Sequence, residues 1–175
     1  MLFRSNLPFF AHTTNLAERT ALGGWQFSGV TVWHSGSPQY VAYSGTDTLG
    51  LGGGTTNRPD LVAPVSYPKK RLAWFSTSSF ANPVAPWNGG PNQGFGNAGR
   101  DAVVGPGLVN FNWSLFKTIP FKEDGPGLEL RFEYFNVFNH TEFNNLDLNS
   151  GDANFGQATT AYDPRTLQLG AKLKF

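Results

Sequence analysis

The chain has 175 residues, a formal net charge of +1 and only 14% charged residues, and it is rich in glycine (21), proline (12), phenylalanine (16) and tryptophan (5). This composition favours strands and turns over helices, and the nearly neutral charge gives no indication of nucleic-acid binding. The absence of cysteine excludes disulfides and thiolate metal sites. The sequence has no run of about eighteen apolar residues, so it predicts no transmembrane helix.

The amino-terminal part of the sequence predicts two strands and a short third one. Residues 1–10 read as the end of a strand that a proline terminates, because proline cannot donate a ladder hydrogen bond. A polar connection over 11–21 leads to a second strand near 24–34. Within it Gly29 separates aromatic residues on one face from valines on the other, which predicts a β-bulge and a register shift. Residues 39–44 then predict a short strand.

Residues 45–106 have the composition of a long loop, with repeated glycines, prolines and asparagines. A structureless segment of this length counts against a compact soluble domain. In outer-membrane β-barrels, by contrast, outer loops are long and periplasmic turns are short. The segment therefore favours a barrel.

Three further strands are predicted near 108–118, 128–138 and 166–175. A charged, glycine-containing turn joins the first two, and a loop rich in Asn and Asp over 139–164 precedes the last. Neighbouring strands in a chain usually pair, so we expect these three to pair in sequence order. If the carboxy terminus is periplasmic, both long loops lie on the outer side, as barrel topology requires.

The last strand alternates without exception between apolar and polar side chains. Its apolar set, which we call the terminal apolar set, comprises Leu167, Leu169, Ala171, Leu173 and Phe175. A last strand that ends on an aromatic residue in register with such a set resembles the terminal strand of bacterial outer-membrane β-barrels. That resemblance implies that the five residues form an assembly signal for the barrel assembly machinery.

Charged and polar side chains alternate with the apolar ones on the last two strands. We expect the following residues, called the polar set, to line a wet lumen: Glu129, Arg131, Glu133, Gln168 and Lys172. The opposite side, which also carries Phe111, Trp113 and Leu115, is expected to meet lipid, because apolar side chains gain from hydrocarbon and charged ones lose there.

These patterns predict an all-β protein, an antiparallel meander that forms part of a transmembrane β-barrel with long outer loops. About five or six full-length strands are recognisable, whereas closed membrane barrels need about eight. An open sheet edge in lipid would leave backbone groups unpaired at several kcal/mol each. Residues 1–175 are therefore expected to form the carboxy-terminal part of an incomplete barrel that does not span a membrane alone.

Four segments in combination, spread over nearly the whole chain, resemble a known family. They are Gly23-Gly24-Trp25-Gln26, Phe95-Gly-Asn-Ala-Gly-Arg100 with Gly105-Pro-Gly107, Arg131-Phe-Glu-Tyr-Phe-Asn-Val-Phe-Asn-His140, and Asp163-Pro-Arg165. Together they are similar to the carboxy-terminal barrel segment of TonB-dependent receptor-like outer-membrane proteins. Within that superfamily they resemble the adhesion-like branch that carries an amino-terminal carboxypeptidase-regulatory-like domain.

The resemblance implies a parent protein of the bacterial outer membrane that takes up large ligands or mediates adhesion. Its implied partners are outer-membrane lipid, the barrel assembly machinery, the remainder of the barrel with its plug and, through the parent, an energy-transducing inner-membrane protein. The family's amino-terminal box and plug have no counterpart in this sequence. The chain is therefore expected to be a fragment of a longer gene product, and transport by the chain alone is not expected.

Two patterns suggest ligand sites, but simpler explanations are favoured. Gly94, Gly96 and Gly99 match the dinucleotide fingerprint G-x-G-x-x-G, yet a phosphate cradle needs a following helix, and the nearby glycines and prolines leave no room for one. Residues 147–152 resemble part of a calcium loop, yet Ala158 occupies the position of the bidentate glutamate. Asx turns explain the acidic and amide residues there.

No catalytic, cofactor-binding or metal-binding residue is predicted, and we do not expect an enzyme. Glu129 and Glu133 suggest a glycosidase pair, but Arg131 between them fits a charge ladder instead. The histidines are too dispersed for a metal site, at positions His12, His34 and His140. No serine stands in a nucleophile-elbow setting.

A second hypothesis is a soluble β-rich binding module, directed to carbohydrate through aromatic residues of the long loop. The candidates are Trp74, Trp87 and Phe95, although burial is the favoured use of such side chains. A soluble module must cover the apolar side of the last strands with a second sheet, and the sequence has no obvious spare strands for one.

Overall fold

The structure is a computed structural model that describes residues 1–8, 16–52, 57–90, 92–122 and 125–175. The chain divides into two compact units. The sheet unit comprises Met1–Trp33, Val109–Thr141 and Asp163–Phe175, and the loop unit comprises His34–Leu108 and Glu142–Tyr162.

Strands dominate the secondary structure. In chain order they are β1 (Leu2–Asn6), β2 (Trp25–His34), β3 (Pro38–Gln39), β4 (Asp60–Leu61), β5 (Phe80–Ala81), β6 (Val103–Val104), β7 (Leu108–Pro120), β8 (Gly127–Phe135), β9 (Phe143–Leu146), β10 (Ala158–Ala161) and β11 (Thr166–Lys174). The described helices are α1 (Leu16–Leu22) and the single 3₁₀ turns Thr77–Ser79, Pro86–Asn88 and Asn92–Gly94. Among the described residues, no helix is both long enough and apolar enough to cross a membrane.

The sheet unit is built on a five-stranded sheet with the order β1-β2-β7-β8-β11. β1 pairs antiparallel with β2, β7 with β8, and β8 with β11. The predicted all-β antiparallel meander is thereby confirmed, together with the pairing of the last three strands in sequence order. Over the described ranges the sheet is not closed, since β1 and β11 each have one strand neighbour within it. The first strand was predicted over 1–10, and residues 9 and 10 lie outside the described residues.

The bulge predicted at Gly29 is wrong. The register of β1 with β2 runs without a break through the pair Phe3–Gly29. A Cβ atom at position 29 would lie 2.6 Å from the Phe3 ring and 3.1 Å from Cδ1 of Trp113. Glycine is used here because aromatic rings fill the space, with the Phe27 ring 5.3 Å from that of Phe3 and 5.6 Å from that of Trp113.

The polar connection predicted over 11–21 contains most of helix α1, while its first residues lie outside the described part of the chain. Seven residues make only about two helical turns, too few for a periodic signal in the sequence. Lys117 on β7 donates from Nζ to the carbonyls of Ala21, at 3.2 Å, and Gly23. A helix leaves its last carbonyls unpaired, so this buried cation supplies hydrogen bonds that the helix cannot make itself.

The two segments predicted as long outer loops fold together into the loop unit. Its core comprises Val41, Trp74, Phe75, Phe80, Ala98 and Val103. Residues of the second segment complete that core, since the Phe155 ring lies 5.3 Å from Phe75 and 5.7 Å from Phe80. Three two-stranded pairings support it: β3 with β6, β4 with β5, and β9 with β10. The prediction of loops was therefore incomplete, because buried aromatic residues hold these segments in one compact structure.

The strand predicted over 39–44 is only partly present. β3 covers Pro38–Gln39, while Ala42 and Tyr43 form isolated bridges to Asn149 and Asn57. Pairing partners from distant parts of the chain interrupt what would otherwise be one continuous strand.

We predict that Gly96→Ala destabilises the loop unit and that Gly99→Ala does not. A Cβ atom at position 96 would lie 1.9 Å from the Arg58 carbonyl oxygen and 2.4 Å from that of Pro59, whereas position 99 has open space within 4 Å. Overpacking of this kind costs about 1–3 kcal/mol. Urea unfolding of the full chain in detergent micelles, followed by tryptophan fluorescence, measures the difference. Equal unfolding midpoints for the two variants would contradict the close approach at Gly96.

Candidate functional site

The polar set lies on one face of the sheet. In the β8–β11 register Glu133 stands opposite Gln168, and Glu129 stands opposite Lys172. Directly opposite residues in an antiparallel pair project to the same side, and alternate residues of one strand do so as well. All members of the polar set therefore share a face, and the assignment of that face to a lumen stays a prediction.

Glu129 is the shared anion of this face. Its Oε1 atom lies 2.7 Å from both Nε and Nη2 of Arg131, and its Oε2 atom lies 2.5 Å from Nζ of Lys174. The Arg131 guanidinium also lies over the Phe116 ring, 5.7 Å from its centroid. Within the described residues, Glu133 makes no ion pair. The predicted charge ladder is thus a network of three charges, Glu129, Arg131 and Lys174, and the described ion pairs do not include Glu133.

The polar face continues across the first two strands. Arg4 donates from Nη2 to Oε1 of Gln26 at 2.7 Å, and Gln26 donates from Nε2 to Oδ1 of Asn6 at 2.9 Å. A cavity of about 280 Å³ lies on this face. Its lining includes Arg4, Gln26 and Ser28 from β1 and β2, and Glu129, Arg131 and Glu133 from β8. Arg4, Gln26 and Ser28 were not among the predicted residues of this face, although the alternation of the first two strands was a usable signal. The bulge assumed at Gly29 hid that signal by shifting the expected register.

The opposite face of the sheet is apolar, half-buried on β7 and β8 and exposed on β11. Tyr134 stands opposite both Trp113 and Leu167, and the next pairing in the same direction joins Phe132 to Leu115 and Leu169. The exposed fractions of the three terminal leucines are Leu167 52%, Leu169 65% and Leu173 55%. Phe175 follows the end of β11 and is fully exposed. Contiguous exposed apolar surface indicates contact with a membrane or a partner.

β8 ends three residues before the predicted boundary of 138. The strand stops at Phe135 because Asn136 adopts a left-handed backbone conformation, with φ of 49°. Its side chain stabilises the turn, donating to the His140 carbonyl at 3.0 Å and accepting from the His140 amide at 3.1 Å. The turn brings Phe138 edge-on to Trp113, with ring centroids 5.4 Å apart.

The segments suggested as ligand loops have structural roles. The glycine-rich segment begins with the 3₁₀ turn Asn92–Gly94 and continues without a helix, so it lacks the architecture of a phosphate cradle. The Asx turns predicted after Asp147 are present. Asp147 Oδ1 accepts from the Asn149 amide at 3.1 Å, and Asn149 Oδ1 accepts from the amides of Gly151 at 3.2 Å and Ser44 at 2.9 Å. In the described part of the chain, no group of three or more His, Cys, Asp or Glu side chains is placed to hold a metal ion.

The aromatic residues of the long loop differ in burial. Trp74 is in the core of the loop unit and donates from Nε1 to the Val104 carbonyl at 3.1 Å. Trp87 and Phe95 are exposed, so the favoured expectation of burial is wrong for these two residues. Among the histidines, His12 lies outside the described residues, and the His34 ring contacts the neighbouring Ser35 carbonyl at 2.9 Å.

Comparison with known proteins identifies the sheet. The family model described as "Outer membrane beta barrel domain" matches residues 3–168, which is nearly the whole chain. The chain belongs to the outer membrane beta barrel domain family. No curated protein and no solved structure matches it. As a member of this family, the protein is located in the bacterial outer membrane, and the hypothesis of a soluble module does not fit that location.

We predict that Glu129→Gln destabilises this outer-membrane barrel protein by about 1 kcal/mol at low ionic strength. The substitution removes the anion shared by Arg131 and Lys174, whose side chains are 41% and 48% exposed and therefore partly screened by solvent. Salt weakens such pairs further. Urea unfolding in detergent micelles at low and high salt measures the loss.

Glu133→Gln is the matched control, because it removes the same charge from the same strand face, and Glu133 forms no ion pair with a described residue. A loss of equal size in both variants, or a loss at Glu129 that salt leaves unchanged, would show that the network does not act through its ion pairs.

Proposed function

We propose that the chain is the closing segment of the barrel of a TonB-dependent receptor-like outer-membrane protein, in the branch with an amino-terminal carboxypeptidase-regulatory-like domain. The intact protein acts in ligand uptake or surface adhesion and not as an enzyme. The observation that supports this best is the sheet with one apolar and one charged face. Barrels of the outer membrane have an apolar outer band and a polar interior. The four sequence segments that resemble the receptor branch support the finer identity.

The chemistry of the two faces orients the sheet. A charged side chain on the lipid side of a barrel costs about 2–4 kcal/mol at the bilayer midplane for Arg or Lys. The Glu129 network would suffer this cost, whereas the exposed leucines of β11 gain from hydrocarbon. We therefore assign the polar set to the lumen and the face of Trp113 and Leu169 to lipid.

The edges of the sheet imply further partners. Within the described residues, β1 and β11 each pair with one strand. An unpaired edge in lipid costs several kcal/mol per backbone group. The remainder of the parent barrel is therefore proposed to pair with both edges and to enclose a plug, through which an energy-transducing inner-membrane protein acts.

The terminal apolar set is proposed as the recognition element for the barrel assembly machinery. β11 is an edge strand, so an assembly factor can reach its backbone as well as its side chains. Its apolar residues are exposed on one face, and the aromatic residue follows at its end.

We predict opposite labelling of two single-cysteine variants, Leu169→Cys and Lys172→Cys, which lie on opposite faces of β11. The chain contains no other cysteine. With the intact parent protein in outer membranes, a water-soluble maleimide should label position 172 through the lumen, while a lipid-soluble reagent should label position 169. The reverse pattern would refute the assignment of the two faces.

We also predict that, in the full-length parent protein, deletion of Phe175 lowers the amount of folded barrel in the outer membrane severalfold. A residue at a fraying strand end adds little stability, so a large effect would reflect recognition during assembly. Lys172→Gln is the control, because it changes β11 on the polar face and leaves the terminal apolar set intact. The heat-modifiable fraction of the outer membrane reports folded barrel. Equal amounts from the deletion variant and the wild type would exclude the signal.

A further inference from the structure

The loop unit contains a cavity of about 630 Å³ that is lined by Tyr40, Arg58 and Arg100. All three residues belong to the loop unit. Volumes of roughly 300–1,000 Å³ are typical of small-molecule sites. The cavity therefore has the size of a ligand site, and its lining has two cations.

Arg58 is held in place by buried neighbours. The Asn57 side chain is buried, donates from Nδ2 to the Gly94 carbonyl at 2.7 Å, and accepts the Arg58 amide at 2.7 Å. Nη1 of Arg58 donates to the Ala98 carbonyl at 3.3 Å. A guanidinium group has five N–H donors, so this anchor leaves most of them available to a ligand.

Arg100 follows a segment that is tied to the backbone around Arg58. The Ala98 amide donates to the Pro59 carbonyl at 3.0 Å, and the side chain of Asn97 accepts the Leu61 amide at 2.6 Å. The glycine-rich segment thus makes no phosphate cradle of its own, but it brings Arg100 to the same cavity as Arg58. No described residue forms a hydrogen bond or an ion pair with the Arg100 side chain.

Tyr40 supplies the third wall of the cavity. Its hydroxyl donates to the Asn57 carbonyl at 3.2 Å, which fixes the ring against the same residue that positions Arg58. An aromatic ring held in this way offers an apolar surface on which the body of a ligand, such as a sugar ring, can pack.

We propose that this cavity binds an anionic saccharide, whose carboxylate or phosphate oxygens accept hydrogen bonds from Arg58 and Arg100 while its ring packs on Tyr40. Neither arginine is paired with a carboxylate in the described part of the chain. Guanidinium groups bind carboxylate and phosphate oxygens with strong, charge-assisted hydrogen bonds. The proposal goes beyond the barrel function and does not depend on transport or adhesion by the parent protein.

The test is isothermal titration of the full protein, purified from outer membranes in detergent, with three probes at low salt. Galacturonate offers a carboxylate on a sugar, glucose 6-phosphate offers a phosphate, and galactose is the neutral match. We expect one or both anionic probes to bind at least tenfold more tightly than galactose, and the tighter anion identifies the source of the charge. Wild-type protein that binds neither anion more tightly than galactose would overturn the proposal.

Arg100→Gln is the decisive variant, because the lost side chain forms no hydrogen bond or ion pair with a described residue. We expect it to weaken binding of the preferred anion at least tenfold. Arg71→Gln is the matched control, with the same charge change in the same unit at an exposed residue outside the cavity lining. Equal affinities in the two variants would overturn the proposal. Arg58→Gln provides a second test where its unfolding midpoint matches that of the wild type.

Discussion

The register of the five-stranded sheet is the constraint on which the two surfaces of this protein depend. Side chains alternate along a strand with a period of two, so a slip by one residue would exchange the two faces completely. In the observed register Glu129 and Arg131 share the polar face with Lys174, and the leucines of β11 share the apolar face with Trp113. A slipped β11 would present leucines to the charged network and lysines to the apolar side. The separation of apolar and charged side chains onto different faces therefore favours the observed register of β11 over a register shifted by one residue.

Lys117 is the exception that the sheet accommodates. It lies between Leu115 and Ile119 on the strand and therefore belongs to the apolar face. Its ammonium group is directed to the carbonyls at the end of α1 and lies 5.1 Å from the centroid of the Trp25 ring. Long basic side chains commonly keep their charge at a polar boundary while the stem covers apolar surface. The carbonyl groups at the end of α1 thus accept the hydrogen bonds of the Lys117 ammonium group, for which β7 itself offers no acceptor on this face.

The loop unit is stabilised by different physics. It buries aromatic side chains from two chain segments against one another, as in a soluble domain, whereas the sheet unit exposes the apolar residues of β11. The loop unit has short strands, and other contacts hold its segments together. They are the close approach of the backbone at Gly96 and the side-chain hydrogen bonds of Asn57 and Asn97. Such an arrangement can hold polar side chains in defined positions, which is the requirement for a binding site. The loop unit is also the part of the protein that contains the cavity proposed to bind a ligand.

The local pattern of the sequence determined the five strands of the sheet and the two faces of β7, β8 and β11, because a period of two is visible within a single strand. The alternation of β11 and the ladder on β8 needed no information from elsewhere in the chain. Only the tertiary structure decided the role of Gly29, which depends on Phe3 and Trp113 from other strands, and the existence of α1, which Lys117 supports. The same holds for the cavity of Arg58 and Arg100. Contacts between residues far apart in sequence create these features, and no local periodicity records which distant residues will meet.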